Sequence, residues 1–274
     1  SELDRDALHV RLADEAYALG GQTAAESYIN TDAILDAIEK SGADAVHPGY
    51  GFLAENVAFA RAVNGHGMTF IGPAPEHLGT FGDKLSAKAA AKAAGVPLIP
   101  GSEGAVGDID EAVRVADGIG YPIMLKAAFG GGGKGMRIVE DADNLRRVFE
   151  LTSTEAQAAF GNGAVFMERF LPSPRHIEVQ VAGDAFGNAL HFAERDCSMQ
   201  RRHQKIIEEA PAFGLPEATL QGIRAAAAKL VAHTGYQTVG TVEFLVQGDE
   251  FFFLEVNPRI QVEHPVTEMV TGVD

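Results

Sequence analysis

The chain has 274 residues, 46% of them apolar, which is enough for two or three packed units with proper cores. Its net charge of −16 and pI near 4.9 exclude an extended contact with a phosphate backbone, which needs a basic surface, so nucleic acid is not an expected partner. The single cysteine, Cys197, cannot form an intrachain disulfide, no run of 18 apolar residues is present and the opening SELDRDALHV is not a signal peptide, so a reducing compartment and no membrane are expected.

Leu8, Leu12, Ala16 and Leu19 share one helix face and predict a helix over residues 4–19, ending at Gly20 and Gly21. A second helix is predicted over 32–39, stopped at Gly42, and then a short strand over 43–47. This α/β rhythm opens directly on a helix, as expected where a preceding strand and helix are absent. HPGYGFLAEN (47–56) sets glycines and a proline between that strand and a following helix, the place where open α/β sheets bind ligands. A tight strand-to-helix turn without ligand explains the same residues equally well. A strand over 69–72 closes the unit. GDKLSAKAAAKAA (82–94) predicts a strong helix ended by Gly95 and Pro97. Lys84 falls in its first turn, where the helix dipole disfavours a cation, so it either faces an anion or snorkels into solvent.

PIMLKA (122–127) predicts a strand with Lys126 inside an apolar run, followed by FGGGGKGMR (129–137). Successive glycines let backbone N–H groups approach phosphate oxygens, and a short glycine run between strands reads better as a phosphate flap than as a linker. VFMERF (165–170) is a further strand with one acid, Glu168. Residues 177–181 and 189–193 predict a hairpin turning at 183–188. ERDCSMQRRHQK (194–205) concentrates Arg201, Arg202, His203 and Lys205 in an acidic protein, as an anion site or a solvated basic loop would. An alanine-rich helix is predicted over 220–233. Boundaries fall near Pro97 and near residues 172–174.

TVEFLV (241–246) and FFFL (251–254) predict a hairpin that delivers Glu255 and Asn257 on one face. A three-residue turn at Gly248, Asp249 and Glu250 places Glu243 opposite Glu255, whereas a two-residue turn at Gly248 and Asp249 places Leu254 there and separates the carboxylates. Like charges facing across a ladder destabilise it, so two carboxylates and an amide oxygen on one patch read as hard ligands for Mg²⁺ or Mn²⁺. Arg259, Gln261, Glu263 and His264 follow at once; the alternative is a solvated polar face.

HPGYGFLAEN, GDKLSAK, FGGGGKGMR, PRHIEVQ, ERDCSMQRRHQK and EVNPRIQVEHPVTE together resemble the biotin carboxylases of the ATP-grasp superfamily, over essentially the whole chain. The resemblance implies an α/β fold of ATP-grasp type, with a truncated Rossmann-like N-terminal domain (1–97), a lid (98–171) and a core (172–274). It implies ATP-dependent activation of bicarbonate as carboxyphosphate and carboxylation of biotin N1 on a carrier protein or domain. By position, Lys84, Lys126 and the loop glycines Gly131, Gly132 and Gly133 would hold phosphates. Glu168, Arg169 and Leu171 would line the adenine site, and His176, His203 and Lys205 would face the nucleotide. Glu243, Glu255 and Asn257 match the metal site and, for the first two, the nucleotide. Glu263 matches the base toward bicarbonate, with Lys205, Arg259, Gln261 and Val262 in the bicarbonate and biotin pocket. Implied partners are a biotin carboxyl carrier and a carboxyltransferase, with a homodimer at full length, in the cytoplasm or, in a eukaryote, the mitochondrion. Arg169 departs from the family's usual lysine, and a C-terminal domain carrying a second active-site arginine is expected beyond Asp274. EVNPR also occurs in carbamoyl phosphate synthetases, where ammonia is the acceptor; a nucleotide-binding module without turnover is the third reading.

Overall fold

Three runs of apolar residues condense into three cores, and the elements that carry them define the architecture. The computed structural model describes residues 1–127, 136–160, 163–202 and 204–274. The helix predicted over 4–19 contracts to α1 (Leu8–Leu12), after a 3-10 turn at Glu2–Asp4. Leu8 and Leu12 are exposed, so no burial offsets the cost of ordering a longer helix. α2 (Thr31–Ser41) starts on Asn30, whose side chain accepts from the Ala33 N–H, and ends on Gly42 at φ +65°, a left-handed cap that glycine adopts without a Cβ clash. β1 (Ala45–Val46) pairs in parallel with β2 (Thr69–Phe70) across α3 (Val57–Gly65), which begins at the cap residue Asn56 and not directly after the glycines. α4 (Pro75–Gly82) closes this layer by packing Leu78 on Phe59, Val63 and Phe70.

α5 (Lys84–Ala93) is a separate helix because Asp83 breaks the run and caps it, its carboxylate accepting from the Ser86 N–H. Ala87 and Ala91 pack with the four-stranded sheet described below, so α5 belongs to that core although it precedes Pro97. α6 (Ile109–Ile119), β3 (Ile123–Ala127), β4 (Met136–Val139), α7 (Ala142–Phe160) and β5 (Val165–Arg169) form the second unit. Its antiparallel sheet runs β4-β3-β5, and Ala112, Ala116, Leu145 and Phe149 cover Ile123, Leu125 and Met167. α6 and α7 fill stretches that the predicted elements leave blank.

The third unit comprises β6 (Arg175–Gly183), β7 (Ala189–Asp196), the short pair β8 (Gln200–Arg201) and β9 (Gln204–Lys205), α8 (Glu217–Thr234), β10 (Thr238–Gln247), β11 (Glu250–Asn257) and α9 (His264–Thr271). Its sheet is antiparallel in the order β11-β10-β6-β7. Alternation sends Ile177, Val179 and Val181 of β6 to one side, where they meet Ile223, Ala227 and Leu230 of α8 in the main core. Glu178 and Gln180 go to the other side, and they too are fully buried.

The β10–β11 hairpin turns in two residues, Gly248 and Asp249, because Gln247 pairs with Glu250. That turn alone would put Leu254 opposite Glu243. A β-bulge between Glu243 and Phe244 instead leaves Leu254 unpaired and restores Glu243 to Glu255.

Candidate functional site

The register places one rung of charges across the whole sheet: Arg195 on β7, Glu178 on β6, Glu243 on β10 and Glu255 on β11. Gln180, Thr241 and Asn257 form the next rung on the same face. Three carboxylates abreast are destabilising unless cations cross them, and two do. The Arg195 Nε donates to Glu178 Oε1 at 2.7 Å. The Lys205 ammonium donates to Glu178 Oε2, to Glu243 Oε1 at 2.8 Å and to Glu263 Oε1 at 2.9 Å. Burial disfavours the Lys205 charge, but Glu178 and Glu243 hold its pKa above the ordinary lysine value. Burial likewise opposes ionisation of Glu263, yet the Lys205 hydrogen bond leaves its carboxyl below the ordinary range.

This face floors a cleft of about 2170 Å³ lined by groups from all three units. From α5 come Lys84 and Lys88, one helical turn apart on the same side. Among the described residues Lys84 has no carboxylate partner. Lys126 of β3 and Lys88 both donate to the two oxygens of Glu168. Burial pushes the Glu168 carboxyl up, but Lys126 and Lys88 outweigh it and the net shift is downward. The Arg169 guanidinium, by contrast, turns out of the cleft, donating to Glu250 Oε2 at 2.9 Å and lying 4.8 Å from the centre of the Phe252 ring. Leu171 is buried. His176 lines the cleft, its backbone N–H donating to Ser198 Oγ. Gly131, Gly132, Gly133 and His203 lie outside the described residues.

Glu243 and Glu255 face each other across the β10–β11 ladder and both line the cleft. Glu243 Oε1 accepts from Lys205 and from Asn257 Nδ2, while Glu255 makes no side-chain hydrogen bond or ion pair among the described residues. Glu255 and Glu243 Oε2 therefore present hard oxygens to the cleft, which fits Mg²⁺ or Mn²⁺. Asn257 sits on the same face, its Nδ2 donating to Glu243 Oε1 and its Oδ1 accepting from Arg259 Nη2 at 3.2 Å with a second lone pair left over. Arg259 also pairs with Glu55 at 2.7 Å, the contribution of the 47–56 stretch to this site. Val262 is exposed at the cleft and Gln261 is buried beneath it.

Glu178, Cys197 and Glu208 bring three possible ligand atoms together. The local charges argue against a second metal there. Glu178 already holds two cations, and burial together with Glu178 pushes the Cys197 thiol well above its usual value, so it stays protonated. The Glu208 carboxyl is pushed up to about 8, by burial and then by Glu178. The basic run 194–205 thus divides: Arg201 and Arg202 are exposed, whereas Lys205 is drawn into the acidic floor.

Arg195, Glu178, Lys88 and Glu55 are site neighbours that sequence patterns did not single out. The alternation in IEVQV reads as a half-solvated strand; what buries its polar side is the later return of α9 and of residues 258–263. The one usable signal is Glu194 and Arg195 inside a strand-forming run, since charges there need partners.

The chain matches the family model described as carbamoyl-phosphate synthase L chain, ATP binding domain, over residues 83–274, and that described as biotin carboxylase, N-terminal domain, over residues 1–78. It is 54% identical to the biotin carboxylase of Haemophilus influenzae, covering 100% of this chain and 61% of that protein. A crystal structure of a biotin carboxylase–βγ-ATP complex from Campylobacter jejuni superposes with a TM-score of 0.85 at 49% identity, over 100% of this chain and 61% of that one. The biotin carboxylase domain of a thermophilic 2-oxoglutarate carboxylase bound to bicarbonate superposes with a TM-score of 0.94 at 45% identity, over 100% and 60%. The chain thus spans about three fifths of the length of these relatives. With its rung of carboxylates, its cleft lysines and both family models in register, the chain belongs to the biotin carboxylase family of ATP-grasp proteins.

Proposed function

We propose that this chain, within its whole protein, is an ATP-dependent ligase that activates bicarbonate and carboxylates biotin on a carrier. The observation that carries the reading is the juxtaposition of Lys205 with Glu243 and Glu263, next to a Glu243–Glu255 pair free to take a cation. The bound divalent ion supplies charge neutralisation across the ATP phosphates. Glu243 and Glu255 would hold it, with the Asn257 amide oxygen as a further ligand.

Lys84 and Lys126 meet the phosphates. Lys126 reaches them by leaving Glu168, which Lys88 continues to neutralise. Arg169 and Leu171 contribute main-chain atoms to the adenine site, since their side chains point elsewhere. Arg259 offers bicarbonate a planar donor fork, and Glu263, ionised beside Lys205, takes its proton. The bicarbonate oxygen then attacks the γ-phosphorus and ADP leaves; the resulting carboxyphosphate delivers its carboxyl group to biotin N1 as its C–O bond breaks, and the released phosphate carries off the N1 proton. The half-reaction implies a biotin carboxyl carrier and a carboxyltransferase as partners, and the dimer named for the biotin carboxylase domain of a related 2-oxoglutarate carboxylase supports a homodimer at full length. Among the described residues no helix is long and apolar enough to cross a membrane, and the buried thiol of Cys197 suits a reducing cytoplasm.

ATP hydrolysis by the full-length protein, measured with and without bicarbonate and biotin, tests this. Turnover requiring both, with carboxybiotin formed in step with ADP, is expected. Ammonia-dependent carbamate formation without biotin moves the protein to the carbamoyl phosphate branch, and nucleotide binding without turnover removes the enzymatic reading.

A further inference from the structure

Arg195 is the largest fully buried side chain in the protein, and its guanidinium uses all five N–H donors. Nε donates to Glu178 Oε1 at 2.7 Å. Nη1 donates to Gln180 Oε1 at 2.9 Å and to Thr267 Oγ1 at 2.7 Å, and Nη2 to Gln261 Oε1 at 3.1 Å and Thr241 Oγ1 at 3.3 Å. These partners come from β6, β10, α9 and the segment 258–263. A charge that costs several kcal/mol to desolvate is therefore held by a complete and rigid set of acceptors.

Two of the five bonds lead into the cleft. Glu178 is pinned through Oε1, so its Oε2 is aimed at Lys205, which in turn reaches Glu263. Gln261 is pinned through its amide oxygen, so its Nε2 is left to face the cleft that the residue lines. We infer that Arg195 is a positioning residue that fixes Gln261 and, through Glu178, Lys205 at the bicarbonate and acceptor end of the cleft, without touching substrate. The inference rests on the function proposed above. Its contacts do not extend to Lys84, Lys88 or Lys126, so nucleotide binding is left to other groups. Lysine cannot replace it, because one ammonium cannot reach both Glu178 and Gln261 with the fork's geometry.

The test uses the full-length protein and compares wild type, Arg195→Lys and Thr267→Val. Arg195→Lys keeps the charge and loses the fork. A displacement of about 1 Å can cost about 100-fold in rate. On that scale the bicarbonate- and biotin-dependent kcat should fall roughly 30- to 100-fold and the bicarbonate KM should rise, with ATP binding within about threefold of wild type. If the lysine variant does not fold, Thr267→Val decides. It removes one acceptor, keeps the charge and should raise the bicarbonate KM about 3- to 10-fold with the ATP KM unchanged. Folded variants with wild-type kcat and bicarbonate KM, or with equal losses for ATP and bicarbonate, overturn the role of Arg195. A wild-type protein with no bicarbonate-dependent turnover overturns the function proposed above, and this inference with it.

Discussion

Replacing Lys205 by Met removes the cation shared by three carboxylates. Relative exposure is 22% for the lysine and 0%, 9% and 17% for Glu178, Glu243 and Glu263, so little water is available to take its place. Breaking a buried pair costs about 3–5 kcal/mol, and the lysine's partial exposure lowers this to roughly 2–4 kcal/mol. At about 2.1 cal/mol/K of unfolding entropy per residue over 274 residues, that is a fall in Tm of about 3–7 °C. The pH dependence identifies the cause. In the wild type the folded-state pKa of Lys205 lies above its unfolded value, so its contribution is complete below about pH 10 and constant between pH 5 and 8. In the variant, the burial that already holds the Glu178 carboxyl up loses the opposing Lys205 charge, and Glu263 loses the hydrogen bond that holds its carboxyl down against burial, so both bind protons more tightly in the folded state and the variant loses stability relative to the wild type as pH rises. Thermal unfolding of both proteins at pH 5 and pH 8 should therefore show the larger deficit at pH 8. A deficit below about 2 °C at pH 8, or one that grows toward pH 5, would refute the view that Lys205 is the counter-charge of this rung.

Glu243→Gln should change stability by less than about 1 kcal/mol, because Lys205 keeps two other carboxylates, yet raise the Mg²⁺ concentration needed for half-maximal turnover at least tenfold; parallel melting and Mg²⁺ titration separate the two effects. Glu263→Gln should leave ATP binding within threefold and abolish the stimulation of ADP release by bicarbonate, read in a coupled ADP assay. Glu208, pushed up to about 8 by burial and by Glu178, binds more protons folded than unfolded, so stability falls as pH rises from about 4 through 8. Glu208→Gln should flatten that slope in melts between pH 5 and 8; an unchanged slope would place the titration elsewhere, with Lys205, Arg195 and Glu263 as its neighbours.

Local rules recovered the elements whose ends carry chemical punctuation. Gly42 in its left-handed cap is readable because backbone geometry restricts which residues fit, whereas Asp83, the cap of α5, lies inside the helix predicted over 82–94, and the Gly248–Asp249 turn is one of two that local rules leave open. The helix expected over 4–19 failed where periodicity lacked a partner: Leu8 and Leu12 have the spacing but stay exposed. The cleft lining was legible where its residues cluster in sequence, as from Glu255 to Glu263, and illegible where it depends on register between distant strands. Glu178 and Arg195 are 17 residues apart and meet only through the β6–β7 pairing.

The bulge at Leu254 shows why turn chemistry alone could not place the carboxylates. Gly248 and Asp249 favour a two-residue turn, and an unbroken ladder from that turn would face Glu243 with a leucine. Phe244, Val246 and Phe253 must also reach the main core. Phe253 meets Phe244 in either register, but one extra residue on β11 shifts everything beyond it by one position, so that Val256 pairs with Val242 in the same core while Glu255 goes to the other face. Leu254 and Glu255 both end up lining the cleft as a result. A defect in pairing thus sets the opposed carboxylates. It is the packing of Val256 with Val242 in the main core, read only once the core is assembled, that favours this arrangement.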